Sequence, residues 1–136
     1  MSKRDELLAL ADRCEVATGE DRGIDCWIEN HLGLARFVPD RPAPLGGGWL
    51  DKRVDPKSYT ASLDAAMTLV PEGWNWMAGN RDQPLARAYV NNGELAFVGA
   101  GMRRNPNRQW YETTAATPAL ALCTAALRAR AAMEGI

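Results

Sequence analysis

Between Met102 and Tyr111 the chain carries Arg103, Arg104, Arg108, Trp110 and Tyr111, interleaved with Asn105, Asn107 and Gln109. Guanidinium forks bind phosphate oxygens in pairs, and aromatic rings stack on bases. This mixture suits a nucleotide, a nucleic-acid strand or an acidic protein surface. Arg87, on a neighbouring run, completes the candidate set. Across residues 81–111 five basic side chains stand against two acidic ones, whereas residues 1–35 hold four basic and eight acidic. The formal charge of −1 therefore conceals a dipolar distribution. The bland alternative is a solvated loop whose arginines meet the acidic helices of the same chain or of a second copy.

Other chemistries find less to work with. His31 is the one histidine, and Cys14, Cys26 and Cys123 are widely spaced. Neither a disulfide framework nor a zinc site has that spacing. All three thiols fall on apolar helical stripes and read as buried side chains. Gly46-Gly47-Gly48 resembles a phosphate cradle but is followed by Trp49-Leu50 rather than by Lys and Ser or Thr. Asp64 and Glu72 flank a helix without the pattern of a paired acid and base. No metal and no cofactor is expected.

The elements that must position the arginines and aromatics follow from periodicity. Ser2 caps a first helix with Leu7, Leu10, Ala11 and Cys14 on one face. Asp21 caps a second, with Ile24, Trp27, Ile28 and Leu32 as its stripe and Gly33 as its stop. Residues 34–58, with Pro39, Pro42, Pro44, Pro56 and three consecutive glycines, read as one long loop. Thr60 or Ser62 caps a third helix over 61–70, ended by Pro71-Glu72-Gly73. The period then shifts to two. Residues 74–78, 85–90 and 94–100 read as three strands of a meander, with Asn91-Asn92-Gly93 as a tight hairpin. A fourth short strand is placed near 109–113. Thr117-Pro118 opens a final Ala- and Leu-rich helix, 119–133. Leu10, Ile28, Leu63, Met67, Phe97, Leu120 and Leu127 are the expected core. At 136 residues one domain is expected, in three parts: 1–33, 34–58 and 59–136.

Three blocks resemble the phage ABA-sandwich family of small phage and prophage proteins. They are Asp21-Arg22-Gly23-Ile24-Asp25-Cys26-Trp27-Ile28 through Leu32-Gly33, Tyr59-Thr60-Ala61-Ser62-Leu63-Asp64-Ala65-Ala66, and Ala115-Ala116-Thr117-Pro118-Ala119-Leu120-Ala121-Leu122-Cys123 with Ala125-Ala126-Leu127. The resemblance implies a phage or prophage origin and helices on both faces of a small antiparallel sheet. It carries over no catalytic residues.

The expected fold is α+β: a three- or four-stranded antiparallel meander with helices on both faces, an αβα sandwich. The expected function is a non-enzymatic, phage-encoded binding protein that blocks a host defence protein or sequesters a cyclic-nucleotide signal. The alternatives are a nucleic-acid-binding accessory protein and a small enzyme with an unrecognised site. Arg87, Arg103, Arg104, Arg108, Trp110 and Tyr111 are the candidate ligand-binding residues. With no leader or apolar span read in the sequence, a cytoplasmic protein that makes no membrane contact is expected. Its aromatic content leads to the expectation of a homo-oligomer.

Overall fold

A computed structural model describes residues 2–32, 37–39, 48–50, 57–79, 84–91, 95–98, 101–104 and 110–134. Helix α1 spans Lys3–Val16, and its Ser2 side chain accepts from the Asp5 backbone N–H at 3.1 Å. Helix α2 spans Arg22–His31, where Asp21 accepts from the Ile24 N–H in the same way. Each cap satisfies one of the four orphan donors at a helix start. The expected faces hold: Leu7, Leu10, Ala11 and Cys14 of α1 and Ile24 and Ile28 of α2 are buried.

The long loop expected over 34–58 contains a small hairpin. Strand β1, Phe37–Pro39, pairs antiparallel with β2, Gly48–Leu50, in the register Phe37↔Leu50. Helix α3 is shorter than its pattern, Leu63–Met67, with Ser62 as the cap. Because it stops after five residues, the inward phase passes to Ala66 and Leu69, both fully buried. Met67 is left 42% exposed, against expectation. Gly73 then turns the chain at φ 83°, a backbone region that side chains with a Cβ rarely adopt.

The sheet departs from the expected meander. Its strands are β3 (Asn75–Gly79), β4 (Ala86–Asn91) and β7 (Trp110–Ala115), antiparallel in the order β3-β4-β7. Residues 95–98 do not join it. They form β5 (Leu95–Val98), which pairs with β6 (Gly101–Arg104) in a separate hairpin. The run expected as a possible fourth strand is therefore the third strand of the sheet. Asn91 marks the end of β4, not the start of a hairpin back onto it.

Helix α4, Pro118–Glu134, organises the core. Thr117 caps it, its hydroxyl accepting from the Leu120 N–H at 3.2 Å. All eight residues from Ala119 to Ala126 are buried, so the helix is enclosed on every side rather than along one stripe. It packs on β3, β4 and β7 and also on α1 and α3. Alanine at so many positions lets these neighbours approach closely. Ala86, Ala88 and Val90 of β4, with Tyr111, Thr113 and Ala115 of β7, alternate onto the α4 side. The Thr113 hydroxyl ties the two layers by donating to the Ala121 carbonyl at 2.7 Å. Trp74 and Trp76 pack half-buried against the same core. The opposite sheet face is open at Asn75, Met77, Arg87, Glu112 and Thr114. Among the described residues, helix cover is thus found on one face of the sheet, where two covered faces were expected.

Of the seven expected core residues, Leu10, Ile28, Leu120 and Leu127 are buried and Leu63 is half-buried. Phe97 lies on β5, whose side chains are outside the description.

Candidate functional site

The open face is a three-by-three array set by strand register. One row is Gly79, Arg87 and Thr114; the next is Met77, Tyr89 and Glu112; the last is Asn75, Asn91 and Trp110. Tyr89 and Trp110 meet diagonally across the β4–β7 pair, with ring centroids 4.4 Å apart and planes 17° apart. Arg87 Nε lies 3.7 Å from Glu112 Oε1, with both side chains largely exposed. Such a pair holds its partners weakly. An open groove of about 650 Å³ adjoins this end of the face, lined by Glu15, Val16, Leu85, Arg87, Glu112 and Thr114 among others. That volume lies within the range of small-molecule sites.

The sheet brings together some of the candidate residues and separates others. Arg87 and Trp110 share the open face. Tyr111 does not: it alternates to the α4 side and stacks on Trp74, centroids 6.3 Å apart. It is a packing residue, and its place in the candidate set is corrected. Arg103 and Arg104 sit on β6, in register with Ala96 and Leu95. Their hairpin leaves the sheet at the end where Asn91 and Trp110 stand. Arg108 lies outside the described residues. Arg87 meets Glu112 rather than the acidic first helices. Those are engaged from α4 instead, where Arg128 reaches Asp12 at 3.2 Å and Glu15 at 2.8 Å.

Tyr89 and Asn91 belong to the face and were missed from sequence. The signal was present: in Ala86-Arg87-Ala88-Tyr89-Val90-Asn91, strict alternation puts both beside Arg87. Asn91 is 4% exposed, and its side-chain Oδ1 is buried with no hydrogen-bond partner.

A second polar cluster holds the fold together. Asp25 Oδ1 accepts from the Thr60 N–H at 2.9 Å and the Thr60 hydroxyl at 3.0 Å, and Oδ2 accepts from Arg22 at 3.0 Å. One turn on, Glu29 Oε1 accepts from the Lys57 N–H at 3.0 Å and the Tyr59 hydroxyl at 2.9 Å. These carboxylates pin segment 57–60 to α2 by satisfying its backbone donors. Burial pushes the Asp25 carboxyl up, opposed by the Thr60 hydrogen bonds. Burial and the bond to Glu29 push the Tyr59 phenol up. Both carboxylates are buried, Asp25 bonded to the chain through both oxygens and Glu29 through Oε1. The Cys123 thiol donates to the Tyr59 carbonyl at 3.0 Å, and its neighbour Cys14 and burial together push it far up. A thiol so placed is a poor nucleophile.

His31 closes a cavity of about 30 Å³ with Lys3, Ile28, Leu127, Arg130 and Glu134. His31 Nε2 lies 3.2 Å from Glu6 Oε2 without the alignment of a hydrogen bond. Burial pulls the imidazole below its ordinary 6.5, and Glu6 only partly offsets this. The neutral ring is therefore favoured by folding. The stability that follows is present above pH 6.5 and is lost as pH falls through that value toward the folded-state pKa. Asp25 acts in the opposite sense, since a raised carboxyl pKa favours the acid side. Melting temperatures from about pH 7 to about pH 5 should therefore fall more steeply in the wild type than in His31→Gln. Equal slopes would assign the imidazole no part in the pH response.

No helix among the described residues is long and apolar enough to cross a membrane. Comparison with family models, curated proteins and solved structures finds no match to this chain.

Proposed function

We propose that the protein is a non-enzymatic binding protein whose open sheet face takes a phosphate-bearing nucleotide. The observation that carries this reading is the Tyr89–Trp110 stack beside Arg87 on a face left open by the helices. Three strands about 4.8 Å apart and five or six residues at about 3.3 Å each bound the face at roughly 250 Å². Even doubled for side-chain relief, that falls short of the ~800 Å² that each partner gives to a standard protein interface. It is ample for one nucleotide. Arg87 and Asn91 lie four residues apart on β4, about 13 Å along the strand.

On the resemblance to phage proteins, the ligand would be a host nucleotide signal, cyclic forms included, sequestered in the host cytoplasm. A host defence protein is the other occupant of this proposal, and the size of the face weighs against it. What supports self-association is thinner, since Trp74 and Trp76 are spent on the core. A nucleic-acid strand is a second reading, favoured by Arg103 and Arg104 on the hairpin that leaves the aromatic end of the sheet.

Calorimetric titration with mononucleotides, cyclic nucleotides and a short single strand at two salt concentrations separates these readings. A small ligand should bind with shallow salt dependence. A strand would lose affinity with a log–log slope near −0.7 per phosphate contacted. Glu112→Gln frees Arg87 and removes a negative charge from the face, so it should tighten nucleotide binding severalfold. Unchanged or weaker binding by this variant would remove Arg87 from the phosphate site.

A further inference from the structure

We infer that the cavity where α1, α2 and α4 meet beside Leu69 binds a small aliphatic monocarboxylate, of the size of acetate or propionate. It shares no residue with the open sheet face, so this inference does not depend on the nucleotide reading. Three helix faces build it. Lys3 and Leu7 lie four residues apart on α1. Ile28, His31 and Leu32 stand at i, i+3 and i+4 on α2, and Leu127, Arg130 and Glu134 at i, i+3 and i+7 on α4. Each helix thus brings an aliphatic wall and a polar group to one space of about 30 Å³. Lys3 and Glu134, with side chains 52% and 38% exposed, form its rim toward solvent.

Two groups on this wall lack the partner that burial calls for. The His31 side chain is 5% exposed, and its Nε2 is buried without a hydrogen bond. The Arg130 guanidinium is half-buried, and its Nε donates to the Leu69 carbonyl at 2.6 Å. Among the described residues no carboxylate pairs with it, Glu134 pairing instead with Lys3 at 3.6 Å. Buried polar groups and charges are nearly always paired. A carboxylate supplies what both groups lack. The Nη groups of an arginine match its two oxygens, and a neutral imidazole can carry its proton on Nε2 as a donor. The cavity wall itself sets Lys3 and Arg130 against Glu134, a surplus of one positive charge, while Glu6 faces His31 from α1. Leu7, Ile28, Leu32, Leu69 and Leu127 cover the remaining surface. That lining suits a short hydrocarbon tail. It disfavours phosphate or sulfate, whose oxygens point to every side and would meet leucine without a donor.

The test titrates propionate into the wild-type protein at fixed ionic strength, with chloride as the balancing anion, and follows the imidazole Hε1 resonance. His31 is the one histidine, so the signal needs no assignment. Propionate should move it along a saturable curve and raise the imidazole pKa, because a carboxylate beside the ring favours its charged form. The charges already facing the ring, Lys3 and Glu6 from α1 and Arg130 and Glu134 from α4, are common to both titrations. Inorganic phosphate should leave the resonance near its starting position. Arg130→Gln should weaken propionate binding by about tenfold or more, as loss of charge-assisted bonds does. Should that variant fail to fold, Arg130→Lys keeps the charge without the fork and should weaken binding severalfold. A resonance that propionate leaves unmoved, or moves without saturation, overturns the site. An equal response to phosphate overturns the monocarboxylate as the ligand class. Undiminished binding in a folded Arg130 variant overturns the part given to the guanidinium.

Discussion

Leu120→Ala is expected to cost about 2–5 kcal/mol of folding stability, the range for emptying a fully buried leucine site. Leu120 is 0% exposed and lies in the enclosed stretch of α4. Helix α4 touches the sheet and two other helices, so no single neighbour can collapse into the cavity without losing contacts elsewhere. At this chain length each kcal/mol shifts the melting temperature by roughly 3–5 °C, so the drop should be on the order of 10 °C or more. Val16→Ala is the control: at 77% exposure, it should change stability by no more than about 0.5 kcal/mol. A Leu120→Ala protein that melts with the wild type would contradict the central placement of α4.

Trp110→Ala should have the largest effect on binding. Loss of one base-stacking ring costs about 1–3 kcal/mol, or roughly five- to 150-fold in affinity. Some stability goes with it, because the stack on Tyr89 contributes about 0.5–1.5 kcal/mol beyond its area. Trp110→Phe keeps a ring and should recover part of both. Replacing Arg103, Arg104 and Arg108 together by alanine tests the remaining candidates. If they serve a phosphate, each charge-assisted bond contributes about 1.5–3 kcal/mol to binding and the melting temperature holds. A triple variant that melts early, from a parent that binds no nucleotide, would make these arginines structural contacts.

Local signals carried the helices well. The caps at Ser2, Asp21 and Thr117 are each legible because a short polar side chain precedes a periodic apolar run, whereas Thr60 and Ser62 were equal candidates for the third helix, which Ser62 caps. The third strand was not legible in the same way. Asn91-Asn92-Gly93 reads locally as a tight turn, but β4 finds its partner at Trp110–Ala115, a pairing that only tertiary packing selects. The burial of α4 on all sides was under-read because alanine fits an exposed face as well as a buried one. The Asp25 and Glu29 cluster was invisible for another reason. A carboxylate beside an apolar stripe looks solvated until segment 57–60 is seen to supply its donors. In the candidate site, Arg87 and Trp110 were legible by residue type. Tyr111 was misread because its type suits a platform while its strand phase turns it inward.

The central claim is that the open face of the β3–β4–β7 sheet is the ligand site. The most direct measurement is an NMR titration of the isotopically labelled protein with AMP, following backbone amides and the Trp indole N–H groups. Resonances of Arg87, Tyr89, Asn91 and Trp110 should shift together along one saturable curve, while Leu10, Ile28 and Leu127 hold still. A spectrum unmoved at millimolar nucleotide, or shifts confined to residues around His31, would contradict the account.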